Sequence, residues 1–245
     1  MGNYITHNQI TVGPELPFLE AVIIMWKEGI GNLIVKDGEE PTCLLTERVI
    51  LEYLVQEREI SNKPMRYIAT HFISKVSPET SLVDAARIMV SKKARLLVFE
   101  NEKLVGMVTS ADMLRGFIRT DVDPPLDDVT HTVYKISYDD SLLDAIKLMN
   151  EKRVGSLIVI KDEKPYGIFT EGDLLAYVLA IEADLGGLVG HYCSHPIVTA
   201  EVGIYGNEAT NTMIVKKIKK LPLSEEDNIV GIVSASDMIK AFLMQ

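Results

Sequence analysis

Three aspartates of this 245-residue chain recur in one local pattern: a glycine, two apolar residues, a threonine or serine, two variable residues, then the acid. The strings GMVTSADML, GIFTEGDLL and GIVSASDMI place Asp112, Asp173 and Asp237 at intervals of 61 and 64 residues. A carboxylate at a helix start can accept hydrogen bonds from both hydroxyls of a ribose, and such charge-assisted bonds are strong. The unpaired N–H groups and positive dipole end of that helix suit a phosphate. Thr109, Thr170 and Ser234 add hydroxyl donors. The same spacing is also a capping box, which starts a helix with no ligand at all. A fourth string, CLLTERVIL, keeps Thr46 but carries Val49 in the acid's place. Helix initiation survives there without the acid, so ribose recognition is not expected in that copy.

Two further registers show that the strings mark a repeat of the whole chain, the pattern to be sought first. Met25, Met89, Met149 and Met213 each precede a string by 17 or 18 residues. Four residues before each methionine stands Ala21, Ala85, Ala145 or Ala209, and before each alanine an acid, Glu20, Asp84, Asp144 or Glu208. Eighteen residues before each methionine lies His7, His71, His131 or His195, each following a hydroxyl residue: Thr6, Thr70, Thr130 or Ser194. Four of the five histidines therefore occupy a single position of the repeat.

The third copy shows the elements that must position these groups. An extended segment over Val133–Ser137 leads to a helix opened by Ser141 as N-cap, with acids in its first turn. Leu142, Ala145, Ile146 and Met149 give that helix one apolar face. The β-branched run Ser156–Ile160, a polar turn at Lys161–Pro165 and a second strand from Tyr166 to Thr170 follow. A second helix starts near Thr170 and runs through Leu179. Each copy is thus a β-α-β-β-α unit, and the fold class is α+β. The repeats span residues 5–60, 68–119, 129–182 and 192–243. A unit of this size buries little apolar surface alone, so the copies should pair, strands against strands, the first with the second and the third with the fourth. The stretch Arg119–Asp128, with Pro124-Pro125 and four aspartates, reads as the linker between the pairs.

The composition is that of a soluble globular protein, 47% hydrophobic and 24% charged. No apolar run approaches the roughly 20 residues needed to span a bilayer, and Met1-Gly2-Asn3-Tyr4 begins no export signal. Cys43 and Cys193 imply no disulfide framework, so a cytoplasmic protein is expected. The formal charge of −10 disfavours nucleic acid, whose binding requires a positive surface. His191, Cys193 and His195 alternate as strand-borne zinc ligands would, but no fourth ligand accompanies them and no metal is expected. There is no nucleophile–base arrangement and no Walker loop. The four repeats use up the chain, so no catalytic domain is expected. Trp26 is expected to pack at a module interface.

The four-copy pattern resembles the CBS domain family, named for cystathionine β-synthase, over essentially the whole chain. The resemblance implies two Bateman modules, each a pseudo-twofold pair of repeats whose cleft commonly binds AMP, ADP, ATP or S-adenosylmethionine. Four repeats in one chain are similar in layout to the γ subunit of AMP-activated protein kinase, where two modules form a disc. A non-catalytic adenine-nucleotide sensor is therefore expected, with AMP, ADP or ATP favoured over S-adenosylmethionine. Residues just before the acid, Ala111, Gly172 and Ser236, would lie near the ligand. Basic residues before the second strand would meet phosphate: Arg95 in the second copy, Lys219 or Lys220 in the fourth. Copies one and three have Gly31-Asn32 and Gly155-Ser156 there, small enough for a ligand to approach the backbone. The expected pockets set Asp112 and Arg95 against Ile30-Gly31, and Asp237, Ser234, Ser236 and the lysines against Val154-Gly155. Thr130-His131 and its counterparts would enter the cleft. The histidine either donates to phosphate or bonds the entering strand, and its presence in the copy lacking the acid favours the second role. The competing functional class is a structural protein with unused clefts that docks an unknown protein target. Either one chain closes a disc alone or two chains pair.

Overall fold

The structure, a computed structural model, describes residues 4–7, 9–57, 63–69, 73–92, 95–179 and 184–245. Five elements recur four times. They are β1 (Thr11–Val12), α1 (Phe18–Lys27), β2 (Asn32–Asp37), β3 (Glu40–Thr46) and α2 (Glu47–Glu57) in the first copy. The second copy holds β4 (Ser74–Val76), α3 (Leu82–Lys92), β5 (Leu96–Glu100), β6 (Lys103–Val108) and α4 (Ser110–Phe117). The third holds β7 (Lys135–Ser137), α5 (Leu142–Glu151), β8 (Ser156–Lys161), β9 (Lys164–Thr170) and α6 (Glu171–Asp173), which continues as a π-helical stretch over Leu174–Leu179. The fourth holds β10 (Ala200–Glu201), α7 (Gly206–Lys216), β11 (Lys220–Glu225), β12 (Asn228–Ser234) and α8 (Ala235–Leu243).

Each copy builds its own three-stranded sheet, its middle strand parallel to the first and antiparallel to the third. The hairpin register shifts at the same place each time, after Val35, Val98, Val159 and Leu223. The middle strands are buried along most of their length, which is why they read as unbroken apolar runs rather than alternating ones. Two adjacent residues with positive φ, such as Asp162 and Glu163 at 49° and 62°, turn the third hairpin in the manner suited to right-twisted strands.

The chain forms two compact units. One comprises Met1–Gln9, Phe72–Val133 and Val198–Gln245, and the other Ile10–His71 and Tyr134–Ile197. In the first, Ala85, Met89, Ala209 and Met213 share one apolar core, and Phe117 of α4 stacks on Phe242 of α8 at 5.0 Å. In the second, Ala21, Met25, Ala145 and Met149 are fully buried together with Phe18 and Phe169. The alanine and methionine register is the core-facing stripe of the first helix of each copy, because residues four apart lie on one helical face.

The units group the second copy with the fourth and the first with the third, across the expected pairing by sequence order. The lead-in segments follow the sequence order. Within the first unit, Thr6 of the first copy exchanges backbone hydrogen bonds with Met107 of the second, at 2.9 and 3.1 Å. His131 of the third does so with Ile232 of the fourth, at 2.9 and 3.0 Å. Within the second unit, Ser194 of the fourth copy pairs with Ile168 of the third, at 3.0 and 2.9 Å. The Thr70-His71 pair lies outside the described residues.

Three expectations need correction. Arg119–Asp128 is not an open linker: Pro124, Leu126 and Val129 are buried in the first unit. The Pro124 carbonyl accepts the Gly206 N–H, and the Asp123 carboxylate accepts the Asn207 N–H. Those aspartates and prolines look like a solvated spacer, yet Asp123 satisfies the start of α7, whose own N-cap residue Tyr205 offers no side-chain bond. The second helix of the third copy is α-helical for one turn only. Trp26 is 45% exposed rather than packed away.

The glycine of each string is explained by the lead-in crossing. A Cβ on Gly167 would meet the Ser194 carbonyl oxygen at 2.7 Å and the Cys193 sulfur at 2.8 Å. Gly106 faces Ile5 and the Thr6 carbonyl, and Gly231 faces Thr130, in the same way. In the first copy Cys43 holds this position. Gly167→Ala should therefore push out the 193–195 segment and cost about 1–3 kcal/mol, read as a lower urea midpoint with little change in slope.

Candidate ligand-binding site

The strands deliver Thr109, Thr170 and Ser234 to the ends of β6, β9 and β12, where each becomes the N-cap of the helix that follows. All three form complete capping boxes. The Thr109 N–H and hydroxyl donate to Asp112 Oδ2 at 2.9 and 2.7 Å, and those of Thr170 to Asp173 Oδ2 at 2.8 and 2.6 Å. The Ser234 N–H and hydroxyl likewise donate to Asp237 Oδ2. The three aspartates are among the few buried charged residues, each 5–6% exposed. Capping thus engages one carboxylate oxygen and leaves the other to face a different partner in each copy.

At Asp112 that partner is Arg115, one turn along the same helix, with Nη1 at 3.0 Å from Oδ1. The Thr6 hydroxyl, from the first copy's lead-in, also donates to Oδ2 at 3.2 Å. At Asp173 the second oxygen accepts the Ser194 hydroxyl at 2.6 Å, from the fourth copy's lead-in. At Asp237 it meets two basic groups, Lys240 Nζ at 2.9 Å and His131 Nε2 at 3.0 Å. The lead-in register of hydroxyl and histidine therefore reaches the acid of another copy. His7 and His195 reach backbone carbonyls of Val105 and Tyr166 instead, the strand-bonding role favoured from sequence. His131 departs from it by bonding the acid.

The electrostatics follow the partners. Burial pushes the Asp173 carboxyl up, beyond what the hydrogen bonds of Ser194 and Thr170 restore, and Glu47 adds to the rise. Burial would raise Asp237 too, but hydrogen bonds from Ser234, Lys240 and His131 outweigh it and hold that carboxyl below its usual value. Burial, with the charge of Asp173, pushes the nearby Cys193 thiol up to about 11, so it stays protonated and a poor nucleophile.

The remaining expected residues divide between the units. Lys220 pairs with Ser234 across the hairpin, and Leu96 pairs with Val108, which sets Arg95 opposite Thr109. Lys220, not Lys219, is therefore the counterpart of Arg95. The Lys219 carbonyl accepts the Ala235 N–H at 3.0 Å, as the carbonyls of Gly31 and Gly155 accept those of Glu47 and Glu171. Ser236 is exposed on the first turn of α8, and the Thr130 hydroxyl donates to the Leu126 carbonyl. Gly31, Val154 and Gly155 belong to the second unit. The Val154 carbonyl there accepts from Arg48 Nη1 at 3.3 Å, and the same guanidinium lies 3.6 Å from Glu171. Arg48 precedes Val49, at the position of Ala111, Gly172 and Ser236, so the copy without an acid presents a cation one residue earlier.

Sequence reasoning passed over Arg115, Lys240 and Arg48. The first two had a legible signal, a base three residues after the acid, where helix neighbours meet; the third copy has Ala176 there. Arg48 bonds Glu52 one turn along its own helix at 3.0 Å, but its contacts with Val154 and Glu171 span over a hundred residues and had no local signal. His191 lies edge-on to Tyr138, and His195 stacks on Tyr166 at 4.0 Å. Among the described residues no group of three or more His, Cys, Asp or Glu could hold a metal ion, and no helix is long and apolar enough to cross a membrane.

A family model, the CBS domain, matches residues 65–119, 126–180 and 189–244. The chain belongs to the CBS domain family. Its second, third and fourth repeats are the matched ones, and the first CBS repeat has the same order of elements. The chain is 26% identical to an uncharacterized protein of Methanocaldococcus jannaschii, over 96% of this chain and 60% of the relative. It is 30% identical to an uncharacterized 33.4 kDa protein of Thermofilum pendens, over 64% of this chain and 57% of the relative. It thus spans about 60% of the length of these relatives. Among solved structures, one M. jannaschii protein superposes with a TM-score of 0.83 at 19% identity, covering 98% of both chains. A Pyrococcus horikoshii protein does so at 0.68 and 17%, covering 99% of both. These two likenesses show the CBS fold.

The two acids should respond oppositely to pH. A depressed carboxyl contributes stability above the ordinary aspartate value of about 3.9 and loses it as pH falls through the folded-state value. Asp237→Asn is therefore expected to cost about 1–2 kcal/mol at neutral pH, and nothing once the carboxyl is protonated. A raised carboxyl does the reverse, and wild-type stability should gain from Asp173 as pH falls from neutral toward about 4. Asp173→Asn should abolish that gain and cost less than about 1 kcal/mol at neutral pH. Urea unfolding of both variants across this range checks the signs.

Proposed function

We propose that this CBS protein is a non-catalytic regulatory sensor of adenine nucleotides, of the AMP, ADP or ATP type. The observation that carries the reading is the division of labour within the buried aspartates. In three copies Oδ2 is committed to capping the helix, while Oδ1 is held by side chains that a ligand's hydroxyls can replace. A ribose diol would take Oδ1, and the phosphates would extend toward the bases, Arg95 with Arg115 in the second copy and Lys220 with Lys240 in the fourth. Thr109, Thr170, Ser234 and Ser236 would add hydroxyl contacts. The first copy, with Val49, would bind no ribose. The neighbour with a TM-score of 0.83 is described as a proposed archaeal homologue of γ-AMPK, which supports a sensor of energy state. A cytoplasmic location and an unidentified protein target complete the proposal. For regulation the ligand must favour one of two states of the protein.

The competing reading is an interaction protein with unoccupied clefts. It draws on exposed apolar side chains such as Trp26, Tyr67 and Val215. Thermal-shift measurements with AMP, ADP, ATP and S-adenosylmethionine separate the two. A ligand at 100 times its Kd is expected to stabilise by about 2.7 kcal/mol, and Asp112→Ala, Asp173→Ala and Asp237→Ala should each remove one bound equivalent. No stabilisation by any of them at millimolar concentration favours the interaction protein.

A further inference from the structure

We infer that the lead-in of the third copy is a slide with two positions one residue apart, and that a ribose-bearing ligand at Asp237 moves it from one to the other. The inference rests on the nucleotide reading above and gives that site a conformational response. The three described lead-ins carry the same triplet, an apolar residue, a hydroxyl residue and a histidine: Ile5-Thr6-His7, Val129-Thr130-His131 and Cys193-Ser194-His195. The strand residues they cross are equivalent too, Met107, Ile232 and Ile168, each directly after the glycine of its string. Yet the pairings differ. Met107 and Ile168 face the hydroxyl residues Thr6 and Ser194, whereas Ile232 faces the histidine, His131. The third lead-in is seated one residue out of step.

The neighbouring contacts record the same displacement. Ile5 and Cys193 lie over Gly106 and Gly167, but Thr130 lies over Gly231, where Val129 would correspond. The Thr6 and Ser194 hydroxyls bond Asp112 and Asp173. The Thr130 hydroxyl is instead turned to the Leu126 carbonyl at 2.9 Å, and His131 meets the acid. His7 and His195 bond the carbonyls of Val105 and Tyr166, the residues before the glycines; the corresponding residue of the fourth copy is Val230. The strands that follow are not displaced, since Val12 pairs with Val35, Ile136 with Val159 and Ala200 with Leu223 in one common register. The step is therefore confined to the lead-in, which has one residue fewer between His131 and Ile136 than between Thr6 and Val12 or Ser194 and Ala200.

The length for a slide is stored just upstream. Asp127–Val129 form a three-residue 3₁₀ turn, with the Val129 N–H donating to the Leu126 carbonyl at 3.1 Å. Such a turn rises about 2.0 Å per residue and a strand about 3.3 Å, so unwinding it releases about 4 Å, slightly more than a one-residue step needs. In the second position Thr130 pairs with Ile232 and Val129 covers Gly231, exchanging one buried place for another. The Thr130 hydroxyl then reaches Asp237, and His131 moves to the Val230 carbonyl, because a one-residue slip turns each side chain to the other face. Lys240 keeps its 2.9 Å contact with Asp237 Oδ1 in either position. What changes is the group in front of the acid, a broad imidazole or a small hydroxyl, and a ribose has room only before the hydroxyl. Ligand thereby favours the second position, and the 127–129 turn unwinds with it.

The test is methyl nuclear Overhauser contacts to the Gly231 α-protons in the full chain, with adenosine as the probe. Without adenosine the contact is expected from the Thr130 methyl, and at saturation from the Val129 methyls. Calorimetric stoichiometry, one equivalent lower in Asp237→Asn, establishes that the site is filled. A Thr130 contact that persists in the filled site, or a Val129 contact already complete without adenosine, overturns the slide and leaves the nucleotide reading standing. Equal stoichiometry in the two proteins overturns both at this acid. A lock supplies the second arm. Facing residues of a hydrogen-bonded antiparallel pair have Cα atoms about 5.5 Å apart, within reach of a disulfide. Oxidised His131→Cys, Ile232→Cys protein is fixed in the first position, and its adenosine affinity at Asp237 is expected to fall roughly tenfold or more below that of its own reduced form. The reduced form carries the same substitutions, so their local effects cancel. Equal affinity in the two forms means that the lead-in does not slide.

Discussion

A short stretch of backbone from one copy lies in hydrogen-bond register on the last hairpin strand of another, and it does so over a glycine. Thr6 on Met107, His131 on Ile232 and Ser194 on Ile168 are the three described instances. The fit needs a residue without a Cβ beneath it, since a methyl at Gly106 or Gly167 would overlap a carbonyl oxygen. Once the segment is seated, the side chain of its paired residue reaches the capping aspartate. The crossing thus orders the sheet edge, closes off strand groups that would otherwise be unpaired and completes the polar surroundings of a buried carboxylate. Lose the glycine, and the packing and the site go together.

That shared geometry does not make the sites alike. An aspartate at the third position of a helix is stabilised by its cap in every copy, yet the carboxylates sit at different points of electrostatic balance. The side chains that bond Asp173 are hydroxyls, and burial dominates. At Asp237 the Ser234 hydroxyl, a lysine and an imidazole together outweigh burial. A carboxylate with its second oxygen held by a neutral hydroxyl is a different receptor from one held by two basic groups. The copy that lost its acid uses the adjacent arginine to bond a carbonyl of the third copy, turning a site position into a structural tie.

The sequence carried the repeat, the order of elements and the strings that mark the helix starts, because these depend on spacings of a few residues. The alanine and methionine register gave the core face of the first helices, and the hairpins lie where apolar runs meet polar turns. The bases one turn beyond Asp112 and Asp237 were equally legible as neighbours on a helix. The segment 119–128 misled because its prolines and aspartates have two uses, to keep a spacer in water or to cap and brace a distant helix, and local composition does not distinguish them. The switch to a π-helical stretch after Asp173 likewise has no short-range signature.

What this sequence determined by itself is a CBS scaffold copied four times, with a potential ribose acid in three copies and none in the first. Local physics suffices for that: a capping box, an amphipathic helix and a β-branched run each form from contacts within one copy. Only the tertiary structure decided which copies share a core and which lead-in segment meets which aspartate. It alone brought His131 to Asp237 and Ser194 to Asp173, and it set Arg48 on Val154. Those contacts join residues up to 106 positions apart. They depend on the fit of surfaces that the sequence pattern leaves equivalent, four similar helices and four similar hairpin edges, and packing alone selects among them.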